Sequence, residues 1–197
     1  MKQPQQRTIQ LTDPRALRAL AHPTRLRLLT LLRTAGPLTA TQAAVKTGES
    51  AGSCSFHFHQ LARWGLCEET GTGRGRERPW RATAAATSWS DVGASAEMAE
   101  ASRVFSRVVA QDYHDGFLRW LDRRALEPLA WQQAADFADV LLYLTPQELA
   151  EIVRQVHAVV EAAARRDARR PRPYAGARLV QLVTISYPLD ATDPRNA

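Results

Sequence analysis

Two groups of side chains, close together in the chain, have the chemistry to hold a polyanion. The first is Ser53, Ser55, Phe56, His57, His59, Gln60 and Arg63, which fall on the outer face of a helix read over 51–64. Hydroxyls bond base edges or phosphates, His and Gln pair with purine donors and acceptors, and a ring such as Phe56 suits a thymine methyl. The second group is Arg74, Arg76 and Arg78, which alternate and so project from one side of a strand. Aligned guanidiniums favour phosphate or minor-groove contact. Taken singly, each of these residues also fits an ordinary solvated surface. Together they point to duplex nucleic acid.

The charge distribution supports that chemistry. The 197 residues carry a formal charge of +6, and residues 1–90 contribute +8 while residues 91–197 contribute −2. A positive field confined to the half that holds both groups is the pattern of a polyanion-binding half joined to one with another task. Lys2 and Lys46 are the only lysines; a compositional bias toward arginine produces the same skew, so the ratio carries little weight. No run approaches the ~20 apolar residues needed to cross a bilayer, and the first ten residues lack an apolar leader. The expectation is a soluble cytoplasmic chain without membrane contact. Cys54 and Cys67 are the only cysteines, too few for a disulfide framework or a four-thiolate metal site.

The elements that must position these groups are written in caps and breakers. Residues 7–11 read as a short strand. Asp13-Pro14 pairs a capping side chain with a proline whose missing N–H costs nothing at a helix start, and a first helix follows to Ala21. Pro23 to Thr34 is a second helix, leucine-rich around its circumference and therefore central, ended by Gly36-Pro37. Leu38 to Thr47 is a third, with Thr39 or Thr41 as cap, Ala43, Ala44 and Val45 as packing face, and Gly48 as left-handed stop. Ser50 caps the fourth, in which Cys54, Phe58, Leu61 and Ala62 face inward. After Gly65, residues 66–70 and 76–82 pair as a hairpin around 71–75, with Pro79 marking an edge strand and Trp80 anchoring it to the helices.

Beyond residue 85 the pattern changes. Residues 86–95, rich in Ala, Ser and Thr, read as a linker, and a long helix with a wide apolar stripe runs from Ala96 to about Ala125. Residues 137–144 and 177–187 read as two strands around a helix that opens with the capping box Thr145-Pro146-Gln147-Glu148. The expected class is α+β, mainly α. Residues 1–85 form a winged helix-turn-helix domain, residues 96–190 a helical unit with a small two-stranded element, and residues 191–197 a disordered tail.

The stretch LRALAHPTRLRLLTLL, the segment SCSFHFHQLARWGL and the arginine-rich GRGRERPWRAT resemble the DNA-binding domain of ArsR-type bacterial repressors with an extended C-terminal region. The resemblance covers about residues 11–85. It rests on ALAHPTR opening the central helix, the spacing Ser55-x-His57-x-x-x-Leu61, and the wing from Gly73 to Trp80. It implies a homodimeric repressor on a near-palindromic operator in double-stranded DNA, with recognition through residues 51–64 and a wing over 71–78. Soft-metal sensors of that family carry a Cys-x-Cys in the third helix, which LTATQAAVKTG lacks.

Other chemistry is less well supplied. Cys54 and His57 share a helical face but His59 points elsewhere, and His114 between Asp112 and Asp115 reads as a polar group on a solvated helix surface, so no metal and no cofactor are expected. No phosphate loop, nucleophile elbow or HExxH pattern appears, so no enzymatic activity is expected. Phe117, Trp120, Trp131, Phe137, Tyr143 and Tyr187 either fill a core, the simpler reading, or line a cavity for a small organic effector. The rival to a DNA-binding regulator is a winged-helix module that docks protein without touching DNA.

Overall fold

The computed structural model describes residues 8–72, 78–170 and 174–190. They divide into two units, one through Ala125 and one from Leu126.

Local capping fixes the helix starts of the first unit. After β1 (Thr8–Gln10), α1 (Pro14–Leu20) begins where Asp13 accepts the Arg15 backbone N–H at 2.8 Å. At α2 (Pro23–Ala35) the ring of His22 serves as cap, its Nδ1 accepting the Thr24 N–H at 3.2 Å. At α3 (Ala40–Thr47) Thr39 and Gln42 satisfy each other's backbone N–H groups in a capping box, and Gly48 closes the helix at φ +75°. Ser50 caps α4 (Ala51–Ala62) through the Ser53 N–H at 3.0 Å. These helices enclose a core of Leu17, Leu20, Leu28, Leu29, Leu32, Phe58 and Leu61, with Cys54 and Leu66 beside them. Each such side chain, fully buried, contributes about 1.5–3 kcal/mol. Val45 was expected to pack, but it points outward and is 84% exposed, because the buried side of α3 is the one that carries Ala43.

The hairpin forms as read. β2 (Cys67–Glu69) and β3 (Trp80–Ala82) are antiparallel, with Cys67 opposite Ala82 and Glu69 opposite Trp80. Trp80 also exchanges two backbone hydrogen bonds with Leu38, at 3.0 and 2.8 Å, so the hairpin is tied to the chain just before α3. Of the expected hairpin, residues 73–77, with Arg74 and Arg76, lie outside the described residues, as does the expected tail at 191–197.

Two readings of the first unit need correcting. Residues 86–88 were expected to begin a linker but form β4 (Ala86–Ser88), parallel to β1 with Thr8 opposite Ala86. Arg33 reaches across from α2 to hold this segment: its Nε donates to the Ala84 carbonyl at 3.0 Å and its Nη2 to Thr87 Oγ1 at 2.6 Å. Burial pushes the Arg33 guanidinium down to about 10. The domain also runs further than residue 85. α5 (Ala96–Arg123) packs its first half on α1, burying Met98, Ala101, Phe105 and Val109 in the same core, while Arg18 pairs with Glu97 at 2.8 Å. Past Val109 its stripe has no buried member, and Leu118 and Leu121 are exposed.

The second unit contains α6 (Leu129–Ala134), unforeseen in the sequence, and α7 (Pro146–Ala168), which opens with the Thr145/Glu148 capping box. The two strands read at 137–144 and 177–187 are not formed: among the described residues, neither segment pairs with a neighbour. Strand-like composition supplies side chains for a sheet, but the backbone also needs a partner for its N–H and C=O groups. Phe137, Leu141, Leu179, Leu182 and Ile185 are exposed, and no described residue of this unit is buried. The chain is thus mainly helical with α+β character, and the two small sheets among the described residues lie in the first unit.

The two Arg33 bonds generate an expectation. Arg33→Ala should lower the unfolding free energy by about 2 kcal/mol, the worth of charge-assisted hydrogen bonds from a largely buried guanidinium. Urea denaturation checks it, and an unchanged midpoint would show that β4 is held without Arg33.

Candidate nucleic-acid interface

The candidate surface is built on the outward side of α4. The spacing of Cys54, His57, Phe58 and Leu61 puts those four side chains in the interior, and they are buried. The other side presents Phe56, 55% exposed, with His59 and Arg63 also exposed and Ser53, Ser55 and Gln60 half-buried. Phe56, His59 and Arg63 follow at intervals of three and four and so form one stripe. A large bare ring beside an imidazole, an amide and a guanidinium is a face with little to gain from packing within its own domain.

His57 is the site residue that the structure moves. Expected outside, it is 8% exposed and turned toward the start of α2. The reason is positional: residue 57 lies three after Cys54 and four before Leu61, on the inner side of the helix. There its Nδ1 meets Arg25 Nε at 3.4 Å, and its ring centroid lies 4.7 Å from that of His22. Burial pushes its pKa below the usual histidine value, and the nearby His22 and Arg25 push the same way against Glu49.

Ser53 also has an internal partner. Its hydroxyl donates to Glu49 Oε2 at 3.1 Å, while Thr24 Oγ1 donates to Glu49 Oε1 at 3.1 Å. Glu49 thus bridges α2 and the first turn of α4 from the connection between α3 and α4. Nothing in the sequence signals that Glu49, Thr24 and Arg25 join the two helices, since the Thr24–Glu49 and Arg25–His57 contacts link residues distant in the chain.

The hairpin meets α4 through aromatics. Trp80 stacks on Phe58 with centroids 5.6 Å apart and takes the edge of His59 at 5.0 Å. Of the three wing arginines, Arg78 is described: it is exposed and its Nη1 lies 3.1 Å from Glu69 Oε2. Arg81 pairs similarly with Glu68 at 2.7 Å. Exposed pairs of this kind are worth about 0–1 kcal/mol, so Arg78 can exchange its carboxylate for a phosphate at little cost.

Among the described residues no three His, Cys, Asp or Glu side chains assemble as a metal-ligand set. Cys54 is buried 3.7 Å from Thr47 Oγ1. Cys67 donates its thiol to the Phe58 carbonyl at 3.3 Å, and burial pushes that thiol up to about 12. Beside His114, Asp115 accepts from Gln111 at 2.8 Å.

The six aromatics read as a core or effector cavity fall in different units. Phe117 stacks on Trp120 at 6.0 Å within α5. In the second unit Arg178 covers Trp131 at 5.3 Å, while Phe137, Tyr143 and Tyr187 are exposed. Two open surface depressions, one along α5 around Glu100 and Arg103 and one around Pro14, include none of the six.

A family profile described as a helix-turn-helix domain matches residues 20–70. No curated protein sequence matches the chain. No described helix is long and apolar enough to cross a membrane. The matched span runs from the end of α1 through α2, α3, α4 and β2, with α3 and α4 joined by a short turn.

Proposed function

We propose that this protein is a sequence-specific transcriptional regulator of the ArsR type, a homodimeric repressor that binds a near-palindromic operator in the cytoplasm. The observation that carries the reading is the helix-turn-helix match at 20–70, together with the bare stripe of Phe56, His59 and Arg63 on its second helix. In this reading α4 lies in the major groove, with Ser55, Phe56, His59, Gln60 and Arg63 toward the bases. Arg74, Arg76 and Arg78 hold phosphates or the adjacent minor groove. The charge of +8 on residues 1–90 supplies the sequence-independent attraction. Two copies would reach successive grooves about 34–36 Å apart.

Support for a dimer comes from apolar surface left bare: Val104, Leu118 and Leu121 on α5, and the exposed segments of the second unit. Surfaces of that kind usually mark association. No catalytic role forms part of the reading. A small organic effector in the C-terminal half remains an extension drawn from its aromatic content. To switch anything, such an effector must bind the DNA-competent and incompetent dimers with different affinity.

Gel-shift titration with duplex DNA tests the central claim. Binding is expected at low salt, with affinity falling about 10³-fold between ~50 and ~200 mM salt for about six phosphate contacts. Absence of any complex at low salt would sink the reading and favour the protein-docking alternative. Arg74→Ala and Arg76→Ala should each flatten the salt dependence by about one unit of slope, and unchanged slopes would remove the wing from the interface. Light scattering should give twice the chain mass of 21.9 kDa, whereas a monomer at micromolar concentration would exclude the homodimer.

A further inference from the structure

The polar seam between the start of α2 and the inner side of α4 is unusual because its central member can change charge near neutral pH. His57 Nδ1 faces Arg25 Nε at 3.4 Å. A guanidinium has donors and no acceptor, so Nδ1 must offer a lone pair, which places the ring proton of a neutral imidazole on Nε2. Arg25 is fixed from its other end, where Nη1 donates to the Ala19 carbonyl just before α2. His22, also from this side, lies 4.7 Å away ring to ring and has committed its Nδ1 to the Thr24 N–H. The carboxylate facing the cluster is Glu49, whose two oxygens are taken by Thr24 Oγ1 and Ser53 Oγ. On α4 itself the neighbour is the Phe56 ring at 5.3 Å.

We propose that His57 is a positioning residue: its neutral imidazole, accepting from Arg25, holds α4 against the start of α2, so acidification loosens this contact and weakens DNA binding. The proposal rests on the DNA-binding reading above and adds a pH response to it. A second proton on His57 turns the acceptor into a donor and sets two cations against each other in a site 8% exposed. The neighbouring carboxylate is already shared by two hydroxyls. Phe56, His59, Gln60 and Arg63 ride on the same helix, so any tilt of α4 displaces all four.

The sign of the response is diagnostic. His57 is held below its unfolded value of 6.5, by burial first and then by His22 and Arg25. Its contribution is therefore fully present above 6.5 and is lost as pH falls through the lower folded value.

Fluorescence anisotropy on one duplex at about pH 7.5 and about pH 5.5 reads the response. The wild-type protein should lose about three- to tenfold in affinity on acidification. His57→Gln, whose amide oxygen accepts from Arg25 without titrating, should show little change. Tighter wild-type binding at the lower pH, or an equal loss in His57→Gln, would overturn the proposal. Should His57→Gln fail to fold, Arg25→Gln removes the opposing cation and should also shrink the pH response; an undiminished response would count against the proposal. Urea unfolding of the free protein at the same two pH values reads the contact without DNA. Its midpoint should fall more in wild type than in His57→Gln, and equal falls would sink the proposal. A protein that binds no DNA at about pH 7.5 would defeat the functional reading while this second measurement still judged the contact.

Discussion

The arrangement depends first on one aromatic contact, the stack of Trp80 on Phe58. A two-stranded hairpin is marginal alone in water, and a twelve-residue helix is little better. Trp80 joins the two: its ring lies 5.6 Å from Phe58 and 5.0 Å from His59, and its backbone pairs with Leu38. Burying so large a ring contributes more than any surface ion pair in the hairpin. Because Phe58 points inward and Phe56, two residues earlier, points outward, the contact that anchors α4 leaves the Phe56 ring exposed, while His59 touches Trp80 from the outer side.

A second constraint is polar. Hydrophobic packing sets how deep α4 sits but is poorly directional, whereas the Thr24–Glu49–Ser53 bridge and the Arg25–His57 contact fix its rotation and its distance from α2. Among the described residues every buried side-chain nitrogen and oxygen has a partner, so this seam carries no unmet polar cost. Such a seam specifies one pose well when every partner is present. It is correspondingly sensitive to a change in one of them.

What the sequence made legible follows from range of interaction. Helix starts were readable because their chemistry is local: Asp13-Pro14, Thr39 with Gln42, Ser50, and Thr145 with Glu148 all cap within three residues. The hairpin was readable from its glycines and from Pro79. β4 was not, because Ala86, Thr87 and Ser88 carry no alternating apolar pattern and their partners in β1 lie 78 residues earlier. The role of Arg33 was hidden for the same reason, since its acceptors are Ala84 and Thr87. His57 was misplaced by weighing its polarity above its position between Cys54 and Leu61. Residues 137–144 and 177–187 show the converse: β-branched composition is legible, but the pairing it calls for is not.

α5 ties these points together. At 28 residues it is about 42 Å long, yet only its first half is embedded, against α1. Whatever covers the bare second half acts on a stiff rod whose near end touches α1 through Met98, Phe105 and the Arg18–Glu97 pair. The carbonyl of Ala19 in α1 in turn holds Arg25, and Arg25 meets His57 under α4. A contiguous path of contacts thus runs from the exposed end of α5 to the inner side of the candidate recognition helix. Contiguity alone does not transmit anything; a path couples two sites only where some member has two discrete arrangements that both sites bias. Arg25 is the member best placed for that role, since it is shared between α1 and α4 and its partner on α4 can change from acceptor to donor.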